Sequence, residues 1–332
     1  MRAPFFLAIS VVDNAADAAR SGRMDILLQQ VLNGLVLGSV YALVALGYTM
    51  VYGILGLINF AHGEVVMIGA MIALTVMTLL MGPAAALPPS VIIALALGAA
   101  IVVCMALAYT IERVAYRPLR KAPRLAPLIT AIGMSILLQN VAMVIWGRQY
   151  KTFPQLFSAE PHTIAGANIT DLQIVIIVLS AALMTALLLL VHFTRLGRAM
   201  RATSENQAIA GLMGVNVNKI ISATFVIGAA LGAVAGVLVA ANYSVAHYSM
   251  GFMLGLKAFT AAVLGGIGNL GGAVLGGLLL GLIESIGAGY IGDVTGGFLG
   301  SHYQDVFAFM VLILVLVFRP TGIMGERVAE RA

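Results

Sequence analysis

Eight stretches of this 332-residue chain carry no charged residue and are almost wholly apolar: residues 26–50, 65–81, 91–111, 125–146, 172–191, 220–241, 258–283 and 306–318. A helix needs about 20 consecutive apolar residues to cross the hydrocarbon core of a bilayer. Backbone polar groups in lipid must be paired within the segment, so each complete crossing reads as a helix. A transmembrane barrel would instead show short alternating segments. The chain is 61% apolar and 9% charged, with a mean hydropathy of +1.04. Soluble domains carry roughly a quarter charged residues, so soluble enzymes, nucleic-acid-binding proteins and disordered scaffolds are excluded. The fold class is all-α: a polytopic transmembrane helical bundle of eight or nine spans, some broken or re-entrant.

The formal charge of +5 does not signal a nucleic-acid partner, because the basic residues are scattered between apolar runs. Of the 18 Lys and Arg, five fall in residues 113–124, four in 195–219 and three in 319–331. Segments 147–171 and 242–256 hold only Arg148 and Lys151. The positive-inside rule places the first three segments in the cytoplasm and the other two outside. Parity then requires run 258–283 to be two segments turning at residues 265–272, with an external N-terminus and about nine crossings or deep re-entrant segments. Residues 1–23 read as a start-site extension or a signal-like leader, residues 24–325 as a single transmembrane domain, and residues 326–332 as a cytoplasmic tail.

Small residues at four-residue spacing mark close helix packing in lipid. Gly228, Gly232, Gly236 and Ala240 form one such row; Gly34, Gly38 and Ala42 form a second, and Gly268, Gly272 and Gly276 a third. Asn140 and Asn242 read as hydrogen-bond partners between helices. The lone Cys104 excludes an internal disulfide and reads as a small apolar filler.

Three groups of polar residues interrupt the apolar pattern. Asn59, His62 and Glu64 lie in a glycine-punctuated break between two apolar runs. Ionisable groups at membrane depth face a cavity or a partner helix, so these residues either contact a solute or cap helices and pair with each other. Residues 265–272 (GGIGNLGG), which include Asn269, form a permissive turn. Lys257 and Glu284 flank that pair of segments, and the lysine either attracts a solute carboxylate or pairs with an acid. No phosphate-binding loop, nucleophile triad or metal-ligand spacing occurs. The chain is therefore read as a non-enzyme without a cofactor of its own, and any ATP and Mg²⁺ would be used by another polypeptide.

Residues 195–216 carry the most informative pattern. Ser204 and Gln207 fit a capping box, which predicts a short helix from Glu205 that Gly214 ends. Ala208, Ile209, Leu212 and Met213 make its apolar face. A short amphipathic helix in a basic loop must dock on lipid, on its own bundle or on another protein.

Five stretches resemble the LivH-type permeases of branched-chain amino acid ABC importers: residues 33–54, 58–64 (INFAHGE), 111–119 (IERVAYRPL), 131–140 (AIGMSILLQN) and 257–268 (KAFTAAVLGGIG). The resemblance covers residues 24 to about 325. It implies a bacterial inner-membrane, multi-pass permease subunit that forms half of a pathway for Leu, Ile or Val. Its implied partners are a second related permease, two cytoplasmic ABC ATPases, a periplasmic solute-binding protein and the lipid bilayer. It further implies that residues 195–216 are the coupling loop, with Arg198, Arg201, Glu205, Asn206, Ala208, Ile209, Leu212 and Gly214 as its contact residues. Asn59, His62, Glu64, Lys257, Asn269 and Glu284 are the candidate pathway residues. The importer pattern of Glu-Ala-Ala with a downstream glycine is altered here to Glu205-Asn206-Gln207-Ala208 with Gly211 and Gly214. The alternatives are a urea or short-amide permease, or a self-contained channel or proton-coupled carrier that uses His62, Glu64 and Glu284.

Overall fold

The computed structural model describes residues 3–81, 87–120, 122–123, 125–155, 160–164, 166–294 and 303–325. The chain runs α1 (Ala3–Leu55), α2 (His62–Leu80) and α3 (Pro89–Ile111), which passes into a π-helical turn (Glu112–Tyr116) and a 3-10 turn (Arg117–Leu119). Then come α4 (Leu125–Trp146), α5 (Asp171–Phe193), α6 (Arg195–Glu205), α7 (Gln207–Leu212) and α8 (Val217–Tyr243). The last helices are α9 (Met250–Gly265), α10 (Leu270–Val294) and α11 (Gln304–Phe318). β1 (Lys151–Thr152) pairs antiparallel with β4 (Val245–Ala246), and β2 (Pro161–Ile164) with β3 (Ala167–Thr170).

Local sequence explains the helix starts. Pro89 opens α3, where its missing N–H costs nothing. Thr170 and Gln173 form a reciprocal capping box at the start of α5. Among the described residues, seven helices are long and apolar enough to span a membrane, and two shorter apolar helices cover Met250–Gly265 and Ala308–Phe318. This is a polytopic helical bundle. α9 has 16 residues, about 24 Å at 1.5 Å per residue, so it is shorter than a hydrocarbon core of about 30 Å. It is sheltered between α1, α2 and α10, where non-lipid-facing backbone is tolerated.

Helices α1, α2 and α8 are the most enclosed, whereas α3, α4 and α5 turn most of their surface outward. The small-residue rows explain the inner packing. A Cβ on Gly34 would stand 2.8 Å from the Cα of Leu282, and one on Gly38 2.8 Å from the Cα of Leu278. α1 and α10 therefore touch backbone to backbone. Gly228, Gly232 and Gly236 likewise face Gly47, His62 and Val66 on α1 and α2.

Two expectations need correction. Gly268 is not part of a helical row with Gly272 and Gly276: it sits in the α9–α10 turn at φ +98°, with open space where a side chain would be. Asn140 does not bridge helices; its Nδ2 donates to Ile136 O one turn earlier in α4, at 2.7 Å. Cys104 is a buried filler whose Sγ donates to Val65 O at 3.3 Å.

The ends of the bundle sort as parity requires. Gln29 on α1 exchanges hydrogen bonds with Asn168 of β3 at one end, while Ile54 near the other end of α1 meets Gln207 of α7. The α9–α10 turn lies at this second end, with Gly268 facing Gly53. Run 258–283 is thus two helices joined by a turn. α1 continues through the expected boundary near residue 24, and the expected tail, 326–332, lies outside the described residues.

Candidate functional site

The basic loop 195–216 folds as two helices, not one. Thr194 caps α6 by accepting from Gly197 N at 3.1 Å, and the helix buries Gly197, Met200 and Thr203. Arg201 Nη1 donates to Val191 O at 2.7 Å and to His192 O, satisfying carbonyls at the end of α5. At Asn206 the backbone becomes extended (φ −158°, ψ 110°), and its side chain accepts from Ala208 N at 2.9 Å and Ile209 N at 3.1 Å. Asn206 is therefore the N-cap of α7, and the expected Ser204–Gln207 capping box does not form. Ser204 Oγ donates backward to Arg201 O instead. Both residues are good caps, and the choice falls on the one that can break the chain after Glu205.

Gly214 ends α7 as expected. Its φ is +86°, and Val215 N→Ala210 O with Gly214 N→Gly211 O makes a Schellman closure. Ala210 packs inward, while Ile209, Leu212 and Met213 are 58%, 87% and 81% exposed. Arg198, Glu205, Asn206 and Ala208 are exposed as well; Arg198 belongs to α6, one helix earlier. An exposed apolar patch on a short helix in a basic loop has the composition of a docking surface.

The α1–α2 break is an internal polar junction. Asn59, His62 and Glu64 are all buried. Asn59 Oδ1 accepts from Tyr116 OH at 2.7 Å, tying the break to the π-helical turn. Glu64 Oε1 accepts from Ser135 Oγ of α4 at 3.1 Å. The His62 ring stands edge-on to Tyr48, with centroids 5.0 Å apart. Among the described residues Glu64 Oε2, His62 Nε2 and Thr49 Oγ1 are buried without a hydrogen-bond partner. His62 and Glu64 therefore do not pair with each other. The π-helical turn also buries Glu112, which accepts from Ser222 Oγ of α8 at 2.6 Å and pairs with Arg120.

Lys257 is not an unattached cation. Its Nζ lies 2.6 Å from Glu284 Oε1 on α10 and 2.7 Å from Asp305 Oδ1 on α11. Tyr41 OH of α1 donates to the other Glu284 oxygen at 3.0 Å. Four helices meet at this cluster, which carries one positive and two negative groups. Tyr41 and Lys257 line a partly open cavity of about 290 Å³, together with Tyr150, Asn242, Tyr243 and His247 from around the β1–β4 pair. Small-molecule sites begin near 300 Å³, so the cavity suits one small solute. A second cavity of about 260 Å³ between α2, α3, α5 and α8 has no charged lining residue.

Asn269 lines neither of these cavities. Its Oδ1 accepts from Gly272 N at 3.0 Å, and its Nδ2 donates to Met324 O at 3.1 Å. It closes the α9–α10 turn and clamps the segment after α11 to it.

The family profile described as "Branched-chain amino acid transport system / permease component" matches residues 30–316. The chain belongs to this family. The branched-chain amino acid transport permease BraD of Pseudomonas aeruginosa is 52% identical over 308 residues, covering 92% of this chain and 97% of that protein. LivH of Escherichia coli K12, a high-affinity branched-chain amino acid transport system permease, is 46% identical over 310 residues, with 92% and 97% coverage. A probable LivH of Methanocaldococcus jannaschii is 28% identical over 301 residues, with 90% and 92% coverage. No solved structure matches.

This permease holds functional candidates that its sequence did not reveal. Tyr41 and Asp305 complete the Lys257–Glu284 cluster from 216 positions upstream and 48 downstream. Asp305, in the first turn of α11, is an ionisable group at the edge of an apolar run, and that was its available signal. Tyr41 gave none, being one of ten tyrosines in an apolar chain.

Proposed function

We propose that this permease is one half of the translocation pathway of an ATP-driven importer of Leu, Ile and Val in a bacterial inner membrane. It pairs with a second, related permease, receives solute from a periplasmic binding protein and is driven by two cytoplasmic ATPases that use the ATP and Mg²⁺. The chain itself supplies transport and no chemistry. The solute enters at the 290 Å³ vestibule, where apolar walls from α1 and α9 suit an aliphatic side chain. The Lys257–Glu284–Asp305 cluster behind it offers both signs of charge to a zwitterion. Asn59, His62 and Glu64 lie deeper, at the junction that the path must pass or remodel.

The observation that carries this reading is the exposed apolar face of α7, held rigid by an Asn cap and a glycine stop. A face built that firmly has a partner. Leu212 is its most exposed apolar residue. Loss of an interface anchor costs about 2 kcal/mol or more, roughly thirtyfold in affinity. We expect Leu212→Asp to insert and fold normally, to lose co-purifying ATPase and to lose uptake of radiolabelled leucine. ATPase retention together with full uptake would remove α7 from the coupling role. Excess urea or acetamide should not compete with leucine uptake. The protein reconstituted alone in liposomes should move no solute, whereas a self-contained carrier would.

A further inference from the structure

Gln207 opens α7, yet it does not cap its own helix. Its Nε2 donates to Ile54 O at 2.8 Å, across 153 positions. Ile54 is in the last turn of α1, which stops at Leu55 before Gly56 turns at φ +63°. The final carbonyls of a helix have no partner within it, so Gln207 satisfies one that α1 leaves open. The contact is a strut between the docking helix and the longest helix of the bundle.

The other end of that strut is equally defined. From Ile54 back to Tyr41 is 13 residues of unbroken α-helix, about 20 Å at 1.5 Å per residue. No proline or π-bulge interrupts it, so it moves as a rod. At its far point Tyr41 lines the vestibule and holds Glu284, and Glu284 in turn holds Lys257, also in the vestibule wall.

We infer that Gln207 is a positioning residue for transport. It transmits displacement of α7 to α1, so that nucleotide state at the basic end is read at the vestibule through Tyr41. The inference rests on the proposed docking of α7 to an ATPase. α7 has anchors besides Gln207. The helix is fixed by the Asn206 cap, the Gly214 stop, its covalent joins to α6 and α8, and the anchoring of α6 through Gly197, Met200 and Arg201.

The test uses the complete importer in proteoliposomes, with leucine uptake and ATP hydrolysis measured together. Gln207→Leu keeps the length and removes the donor. It should retain ATPase co-purification and hydrolysis, while leucine moved per ATP falls about tenfold, within the usual range of coupling energies. Gln207→Lys, a long donor that reaches the same carbonyl, should recover most of the loss. A second readout follows α1 directly. In a Cys104→Ala background, Leu37→Cys in the vestibule should change its labelling rate with a water-soluble maleimide when nucleotide is added. That change should shrink in the presence of Gln207→Leu. Leucine per ATP within about twofold of wild type, or an undiminished nucleotide effect on labelling, overturns the strut. Loss of ATPase co-purification in Gln207→Leu also overturns it, by assigning Gln207 to the docking face. Failure of the wild-type permease to bind an ATPase would instead sink the proposed function.

Discussion

Gly277→Leu should prevent the bundle from assembling. A Cβ on Gly277 would lie 2.5 Å from both the N and the Cα of Ala42, well inside the 3.5–4.0 Å separation of ordinary carbon contacts. The obstacle is backbone, so no rotamer change relieves it. α1 and α10 form the most extensive helix pair in the molecule, and Gly34, Gly38 and Gly281 repeat the same close approach along that seam. Inserting methylenes into a packed core costs about 1–3 kcal/mol when side chains can adjust. Here the cost is at least that, and lipid supplies no hydrophobic drive between helices to offset it. The matching control is Gly98→Leu on α3, where no atom lies within 4 Å of the added Cβ. The yield of monodisperse protein on size-exclusion chromatography should collapse for Gly277→Leu and stay near wild type for Gly98→Leu. Equal yields would mean that α1 and α10 do not meet along this row.

Helices and their order were legible because the bilayer imposes length and apolarity on every crossing. Charge placement even resolved what hydropathy blurred: it forced a turn into run 258–283, and the chain turns at residues 266–269. Finer choices depended on contacts that no local pattern carries. Ser204 and Asn206 are equally good caps, and the decision rested on where α6 must stop and on Gln207 being drawn away to Ile54 O. Glu64 reads from sequence as a solute contact or a partner for His62, yet Ser135 on α4 takes one of its oxygens. Asn269 reads as a pathway residue because it is polar and flanked by glycines. It serves to close a turn, a need created by the same glycines that drew attention to it.

The Lys257 cluster should behave as an energetic unit, with opposite outcomes for single and paired replacements. The Glu284 side chain is 1% exposed, against 14% for Lys257 in the vestibule wall, so the carboxylate is not solvated by water when its partner leaves. Lys257→Met strands Glu284 beside Asp305, two carboxylates with no cation between them. Removing one member of a buried pair costs about 3–5 kcal/mol, whereas replacing both with neutral groups of similar size is often near neutral. The thermal unfolding midpoint in detergent should therefore drop sharply for Lys257→Met. It should return most of the way for Lys257→Met with Glu284→Gln, since the glutamine can still accept from Tyr41 OH. Penalties that simply add in the double variant would show that the two groups act independently. The folded double variant then isolates function from stability. If the cluster serves only to join α9, α10 and α11, leucine uptake returns with the fold. If its charges meet the solute in the vestibule, uptake stays low in a protein as stable as the wild type.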